Sequence, residues 1–289
     1  MKYISPLRYP GGKSILSNFI KLLIKENKLL DGVYVEPYAG GAGVALSLLF
    51  NEYMSRIIIN DLNPSIYAFW YSVLNFTGDL CDLIVSTEVT IEEWHRQKMI
   101  QLNENATILE LGFSTFFLNR TNRSGIINGG VIGGIEQQGK WKINARYNKE
   151  ELVNRIRKIA RYKDRISLYN LDALELLQRE LPNLPEKTLV YLDPPYYKKG
   201  QDLYQNHLNH DDHEKLARFM KNSRDKYWLI TYDNVSPITE MYKEMRQLTY
   251  SLNYSAANRY AGSEIMIFSD KLIIPNVDSP TRVASRQVV

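Results

Sequence analysis

The sequence predicts an α/β fold in which a wound sheet is interrupted by an inserted domain. Short β-rich runs alternate with helical patterns in two separate stretches of the 289-residue chain, and this alternation is typical of a sheet with crossover helices. Between them, from residue 75 to 160, strand signals fade and a basic, Asn/Gly-rich segment appears. We therefore expect residues 1–74 and 161–274 to form one domain and residues 75–160 to form a mostly helical insertion.

The first β/α stretch predicts three helices and two strands. One helix begins after Gly41 and another follows Pro64, whose fixed φ suits a first helical turn. The first helix and the two strands are predicted at 14–26, 33–36 and 56–60.

The second stretch predicts three more strands and a closing pair. A helix is expected near 212–222, capped by Asp211 or Asp212, and the β-rich runs 247–254 and 264–269 are predicted to form an antiparallel pair. The three strands are predicted at 166–168, 188–192 and 227–231. The tail, residues 275–289, is polar and is expected to be poorly ordered.

The composition is that of an ordinary globular protein, with 44% hydrophobic and 24% charged residues. The single cysteine, Cys81, excludes an internal disulfide and fits a reducing cytoplasm. The N-terminus lacks the apolar core of a secretory signal, and no apolar run approaches the roughly 18 residues that a membrane span needs. We expect a cytoplasmic protein without a membrane partner.

Positive charge is concentrated in one segment of the chain. Between residues 113 and 165 there are 12 Lys or Arg and 4 Asp or Glu, a net charge of +8 against +4 for the whole chain. Such a block can be only a solvated face. Here, however, the basic residues alternate with Asn, Gly, Trp and Tyr, a mixture suited to phosphate and base contacts.

Acidic residues follow four of the predicted strands, at the point where each strand ends. The segments there read EPYAGGAG, NDLN, NLDA and DPPYY. Ligands of open α/β sheets bind at the carboxyl ends of the strands, so these acids are candidate site residues.

The segment EPYAGGAG does not match the spacing G-x-G-x-x-G of a dinucleotide loop. Asp61 nevertheless lies 21 residues after Gly40, near the position where a wound fold places the acid that binds ribose hydroxyls. A glycine turn with such an acid suits an adenosine-containing cofactor. NAD stays open, whereas the additional acids favour S-adenosylmethionine, whose amino group and sulfonium are cationic.

Two other patterns are weaker. PGGKS, residues 10–14, resembles a phosphate-binding loop but has Leu7 where that motif requires glycine. His207, His210 and His213 are spaced as on one helical face, but no cysteine accompanies them. We expect neither a nucleotide triphosphate site nor a metal site.

The segment DPPY, Asp193 to Tyr196, predicts a rigid structure at a strand end, because consecutive prolines stiffen the chain. The exocyclic amine of a nucleobase is a weak nucleophile. Two acceptors aimed at its protons would favour attack on a methyl sulfonium, and Asp193 with the Pro194 carbonyl could supply both. Tyr196 would offer a surface on which a flipped base stacks. The alternative is a turn that only closes a buried strand.

The order RYPGGK, EPYAGGAG, NDLN, DPPY, with an insertion, resembles the Dam-type (D12 class) DNA adenine-N6 methyltransferases over nearly the whole chain up to residue 274. The resemblance implies a class I S-adenosylmethionine-dependent methyltransferase fold, a Rossmann-like wound sheet with a terminal antiparallel hairpin. It also implies methyl transfer from S-adenosylmethionine, S-adenosylhomocysteine as product, no metal, and double-stranded DNA as substrate. Residues 75–160 would then be the target-recognition domain.

The resemblance also implies residue roles. The catalytic motif is Asp193, Pro194, Pro195 and Tyr196, while Tyr232 to Asn234 and Glu264 are further pocket walls. The implied cofactor-binding residues are Tyr9, Lys13, Glu36, Gly40, Asp61, Asp172 and Asp193.

FFLNRTNRSGIING is similar to the family's DNA-contacting stretch, which makes Arg120, Asn122 and Arg123 candidate DNA contacts. Lys140, Lys142 and Arg146 are expected to contact phosphates. After Asn128 the chain differs from family members that methylate GATC, so GATC is not implied as its target.

Several alternatives stay open. The substrate could be an RNA adenine or a DNA cytosine N4, or the chain could bind DNA without catalysis. We expect a monomer of bacterial or phage origin, and the sequence does not reveal a restriction or defence partner.

Overall fold

A computed structural model describes residues 4–9, 13–197, 208–254, 260–284 and 288; for residues 252–254, 260 and 261 it describes the backbone alone. The described chain divides into two compact units. One unit contains residues 1–12 and 63–170, and the other contains residues 13–62 and 171–289. They are called here the insertion unit and the sheet unit. The insertion unit includes residues 1–12, 63–74 and 161–170, which the sequence prediction assigned to the sheet domain. The predicted domains and their functions stay a prediction.

Seven strands among the described residues form one mixed sheet in the order β3-β2-β1-β4-β5-β7-β6. Strands β1, β2, β4 and β5 pair in parallel, whereas β7 is antiparallel to both β5 and β6. The predicted wound sheet with a closing antiparallel pair is therefore confirmed. The strands are β1 (Gly32–Glu36), β2 (Met54–Asn60), β3 (Ile166–Tyr169), β4 (Thr188–Leu192), β5 (Tyr227–Asp233), β6 (Arg246–Tyr254) and β7 (Tyr260–Phe268).

The central strands β1 and β4 are buried along their whole length, as expected for parallel strands covered on both faces. Lys13–Leu16 form a 3-10 turn that leads into the first helix of the sheet unit. The helices of this unit are α1 (Ser17–Glu26), α2 (Gly43–Phe50), α8 (Ala173–Glu180), α9 (His210–Asn222) and α10 (Ser236–Met241). No helix within the described ranges is long and apolar enough to cross a membrane.

The insertion unit is mostly helical, and aromatic side chains form its core. The rings of Phe69 and Phe116 stack at 6.0 Å, and Tyr147 meets Phe116 edge-on at 5.5 Å. A Cβ at Gly112 would lie 2.6 Å from the Ala68 carbonyl oxygen, so glycine permits the close approach of two helices there. These helices are α3 (Pro64–Asn75), α4 (Thr77–Ser86), α5 (Ile91–Gln101), α6 (Ile108–Thr121) and α7 (Lys149–Ala160).

Two local predictions are wrong. Helix α9 is capped by Asn209, which accepts from the Asp212 backbone N–H at 3.0 Å, so Asp212 is the reciprocal residue of a capping box and not the cap. The described part of the tail is also ordered by packing. Val283 is buried, and its carbonyl accepts a hydrogen bond from Asn18 at 2.9 Å.

Candidate active site

Asp193 directly follows β4, at the carboxyl end of the parallel strands. Lys13 Nζ donates to its two carboxylate oxygens at 2.8 and 3.1 Å, and Thr231 Oγ1 donates to Oδ1 at 2.7 Å. The Asp193 side chain is 20% exposed, whereas that of Lys13 is 3% exposed. The carboxylate is therefore fixed by two donors and still reaches the surface of the unit.

Lys13 also connects Asp193 to a second acid on β7. It donates to the Tyr196 hydroxyl at 2.7 Å, and its ammonium lies 3.8 Å from Glu264. The Tyr196 and Tyr250 hydroxyls donate to the two carboxylate oxygens of Glu264. We call Lys13, Asp193, Tyr196 and Glu264 the acid–lysine cluster. Its one described cation faces two carboxylates, and both oxygens of the buried Glu264 are hydrogen-bonded.

The surroundings of Asp193 act on its pKa in opposite directions. Burial raises the pKa of Asp193, the Lys13 ammonium lowers it, and the negative charge of Glu264 raises it again. The net direction is upward. Lys13 and the Thr231 hydroxyl thus favour the ionised carboxylate.

The glycine turn after β1 forms a second arrangement in the same unit. Gly40 (φ 45°) and Ala42 (φ 47°) have left-handed backbones, a conformation that glycine adopts readily and alanine does not. Asp61 accepts from the Gly40 backbone N–H at 2.9 Å, whereas the predicted contact of Asp61 with ribose hydroxyls stays a prediction. Asn60 connects the turn to the next strand end by donating to the carbonyls of Pro37 and Leu171 at 2.9 Å.

Glu36 lies at the end of β1 with 5% of its surface exposed. Burial raises the pKa of Glu36 to about 8, with a further upward effect from Asp193, while the backbone N–H of Ala45 opposes the shift. A buried carboxyl of this kind is stabilised in its ionised form when a positive charge is placed beside it.

The other predicted cofactor and pocket residues each have separate local contacts. Asp172 is exposed and caps α8 by accepting from the backbone N–H groups of Leu174 and Glu175 at 2.8 and 3.3 Å. Asp233 accepts from the backbone N–H of Tyr197, the residue after the predicted catalytic motif, at 2.9 Å. Tyr9 is half-buried and belongs to the insertion unit.

The proline pair and Tyr196 have well-defined surroundings. Pro194 is buried and Pro195 half-buried, while Tyr196 is 7% exposed with the Lys13 ammonium 4.9 Å from its ring centre. Little of the ring is open in this arrangement, so stacking of a base on Tyr196 stays a prediction.

The histidines form no metal site among the described residues, and His207 lies outside them. His210 Nδ1 is 2.8 Å from the Tyr197 hydroxyl, and His213 Nδ1 is 2.9 Å from the Tyr232 hydroxyl. Burial lowers the pKa of His213 to about 4, which keeps this side chain neutral at pH 7.

The predicted DNA contacts in the insertion unit separate into buried and exposed side chains. Asn122 is buried; it donates to the carbonyls of Ile126 and Ile127 and accepts from Trp94 Nε1 at 2.6 Å. It therefore shapes the loop and, in this arrangement, does not present its amide to a ligand. Arg120 Nε donates to the Arg146 carbonyl at 2.7 Å, and burial lowers its pKa to about 10. The exposed side chains are Arg123, Lys140, Lys142 and Arg146.

Sequence reasoning missed several partners of the site residues. Thr231, at the end of β5, could have been found by the same strand-end rule as the acids. Tyr250 carried no signal, because its pairing with Glu264 depends on the register of β6 against β7. In the insertion unit, the backbone of Arg8 is bound by Asn119, which accepts from its N–H and donates to its carbonyl, both at 2.7 Å.

Comparison with known proteins gives one family match over most of the chain. Residues 9–257 match the family described as D12 class N6 adenine-specific DNA methyltransferase. The chain is 28% identical over 240 residues to the modification methylase StsI of Streptococcus sanguinis. The aligned region covers 76% of this chain and 33% of that protein. It therefore spans about a third of the length of this relative.

Two further similarities are more distant. The type II methyltransferase M.MjaIII of Methanocaldococcus jannaschii is 24% identical over 236 residues, covering 74% of this chain and 78% of that one. The solved structure of M. capricolum TrmK in complex with S-adenosyl-homocysteine is 9% identical with a TM-score of 0.36, covering 92% of this chain and 75% of that one. The latter is too dissimilar to carry an argument.

Proposed function

The chain belongs to the D12 class N6 adenine-specific DNA methyltransferases, and from this membership we propose that it methylates the exocyclic N6 amine of an adenine in double-stranded DNA. The methyl donor in this proposal is S-adenosylmethionine. The single observation that carries the proposal for this chain is the position of Asp193, held after β4 by Lys13 and Thr231.

The position of Asp193 after β4, with Lys13 and Thr231 donating to its carboxylate, supports a role as an acceptor for the target amine. In the proposed reaction, the amine nitrogen would bond to the methyl carbon as the carbon–sulfur bond breaks, with the electron pair left on sulfur. The Asp193 carboxylate would take the released amine proton and pass it to solvent. The Asp193 carboxylate and the Pro194 carbonyl would accept the two amine N–H groups and direct the nitrogen lone pair at the methyl group. Because donors already fix the carboxylate, little reorganisation is needed.

Lys13 performs two tasks in this proposal. Its ammonium favours the ionised form of Asp193 and so opposes the upward effects of burial and of Glu264 on the pKa. It also occupies the carboxylate oxygens that the amine must reach. An incoming amine would therefore share Asp193 with Lys13, which retains Tyr196 and Glu264 as partners.

The acids of the sheet unit fit a cationic cofactor. When bound, S-adenosylmethionine supplies an electrophilic methyl group on a positively charged sulfonium. Glu36, with its raised pKa, is a buried carboxyl that a cation would stabilise in the ionised form. Gly40, Asp61 and Asp172 are proposed to complete the cofactor site, with Asp61 oriented by the Gly40 backbone N–H. Tyr9 is proposed as a further contact.

Arg120 and Asn122 are proposed to shape the DNA-binding loop, because their polar groups bond within the unit. Arg123, Lys140, Lys142 and Arg146 are exposed and are proposed to contact the duplex.

The proposal is tested with isotopically labelled S-adenosylmethionine and unmethylated bacterial DNA. Nucleoside mass spectrometry identifies the labelled base, and single-molecule sequencing locates the modified sites. We expect labelled N6-methyladenine within one short sequence motif. Label on cytosine, label on RNA alone, or binding of cofactor and DNA without any transfer would contradict the proposal.

A further inference from the structure

Trp141 differs from the other tryptophans in its exposure. The chain has four tryptophans, all within the described residues. Trp70, Trp94 and Trp228 are 1%, 7% and 0% exposed, whereas Trp141 is 63% exposed. A large aromatic side chain at the surface is a common anchor for a partner molecule.

The segment that carries Trp141, residues 131–142, has a fixed backbone and is called here the tryptophan loop. The side chain of Gln137 donates to the carbonyls of Ile132 and Gly134 and accepts from the Ile143 N–H at 2.8 Å. The Gly139 N–H donates to the Gly133 carbonyl at 3.0 Å. These bonds hold the loop from inside, so Trp141 is exposed on an ordered support.

The tryptophan loop is joined to the Arg123 segment by backbone pairing. Asn122 and Val131 form an isolated antiparallel bridge, the Arg123 N–H donates to the Gly130 carbonyl, and the Ile132 N–H donates to the Thr121 carbonyl, both at 2.9 Å. The loop therefore begins beside the exposed Arg123.

The charge beside Trp141 is mostly positive. The Lys140 ammonium lies 5.8 Å from the Trp141 ring centre, and Lys142 is exposed on the other side in sequence. Glu136 is the one acid of the loop. An exposed aromatic between lysines combines a stacking surface with phosphate-binding cations, the combination used to bind nucleic acid bases.

We propose that Trp141 stacks on a base that is unstacked from the duplex in the bound DNA, with the adjacent Lys140 and Lys142 contacting the flanking phosphates. This inference rests on the proposed DNA substrate and adds a contact that the sequence did not single out.

Fluorescence tests the proposal directly, because the three other tryptophans are buried. Acrylamide quenching of the wild-type protein is measured with and without a saturating unmethylated duplex. We expect bound DNA to protect from acrylamide the part of the tryptophan emission that acrylamide quenches in the free protein. In Trp141→Phe, DNA should give no such protection. Unchanged quenching at saturating DNA would overturn the proposal.

Affinity at several salt concentrations separates stacking from charge. Trp141→Ala is expected to weaken duplex binding roughly tenfold while leaving the dependence of log Kd on log salt unchanged, because stacking releases no counterions. Trp141→Phe, which keeps an aromatic ring, should lose less than about threefold. Unaltered affinity in Trp141→Ala, despite a wild-type melting temperature, would overturn the proposal.

Sedimentation without DNA and the labelled methylation product distinguish two other outcomes. If Trp141→Ala changed the sedimentation of the protein without DNA, the residue would be a contact between copies of the chain and the proposal would fail. Neither quenching nor affinity requires methyl transfer. Failure of the enzyme proposal, seen as binding without labelled product, is therefore distinguishable from failure of the stacking proposal.

Discussion

The acid–lysine cluster and the tryptophan loop are built in opposite ways. In the cluster, side chains bind one another: Lys13, Asp193, Tyr196 and Glu264 are connected by hydrogen bonds and ion pairs, and Glu264 is fully buried. In the loop, the side chain of Gln137 and the Lys142 ammonium bind the backbone. The functional candidates around them are exposed.

The difference fits the role proposed for each region. A carboxylate that directs a reaction is most effective when its donors are already in place and water is excluded. A surface that meets a duplex must keep its cations and aromatic ring accessible, and needs only a backbone that holds them in position. Substitutions in the cluster should therefore change rates, whereas those near the loop should change DNA binding.

The largest effect is expected for Asp193→Asn. The amide keeps the shape of the carboxylate but removes its charge and replaces one acceptor with a donor, so single-turnover methylation should fall about 10³-fold. The rate is measured at saturating DNA and S-adenosylmethionine. Asp211→Asn, an exposed position on α9, is the matched control and should keep the wild-type rate.

Glu264→Gln should have a smaller effect and should also shift the pH profile. Removing this charge takes away an upward influence on the pKa of Asp193, so the acid limb of the rate profile should move to lower pH. We expect the rate at neutral pH to fall about tenfold because Lys13 and Tyr196 lose a partner. A profile identical to that of the exposed-site control Glu240→Gln would show that Glu264 is not a positioning residue.

Arg123→Ala tests base readout near the loop. If this exposed arginine contacts a base edge, the variant should lose roughly tenfold of its discrimination between target and altered sites. The measurement compares affinities for duplexes that differ at single positions of the mapped motif. Equal weakening for every duplex would instead assign Arg123 to phosphate contact.

Glu36→Gln tests the buried carboxyl through stability. The folded pKa of Glu36 is raised to about 8 from 4.5, so the unfolded chain loses this proton first as pH rises. The free energy of unfolding should therefore fall between about pH 4.5 and 8, by up to about 5 kcal/mol from this group. Urea unfolding without cofactor should show a smaller fall in Glu36→Gln.

The matched control for this stability measurement is Glu186→Gln, because Glu186 is 83% exposed. It should keep the wild-type pH dependence. An equally steep fall in Glu36→Gln would mean that Glu36 is ionised in the folded protein at neutral pH.

The smallest effect is expected for Lys140→Ala. One phosphate contact removed should reduce the slope of log Kd against log salt by about one. Lys215→Ala, an exposed lysine of the sheet unit, should leave the slope unchanged. If the slope of log Kd against log salt were unchanged in Lys140→Ala, Lys142→Ala and Arg146→Ala alike, the basic segment would be only a solvated face.

Much of the fold could be predicted from the sequence because its signals are local. Alternating β-rich and helical runs indicated the wound sheet, and the antiparallel β6–β7 pair is confirmed. The predicted family is confirmed by the match over residues 9–257, and the four motifs in their fixed order were its signal in the sequence. The cap of α9 was misassigned because several adjacent polar residues can accept from a helix N-terminus.

The site could be predicted only in part, because contacts between distant segments leave no local pattern. The strand-end rule found Asp193, and the structure brings it together with Lys13 from 180 residues away. The hydrogen bond between Tyr250 and Glu264 depends on strand register. Asn122 looked like a DNA contact from its Asn/Arg-rich surroundings, whereas its amide is used inside the loop. Exposure, which distinguishes Trp141, is not visible in sequence.

The most direct test of the division between the two regions measures DNA affinity and methylation rate on the same variants. The Kd for the unmethylated duplex and the single-turnover rate at saturation are determined for Asp193→Asn and Lys140→Ala. We predict that Asp193→Asn loses rate and keeps affinity, and that Lys140→Ala loses affinity and keeps rate. Equal loss of affinity in both variants, or equal loss of rate, would contradict the separation of chemistry from DNA contact.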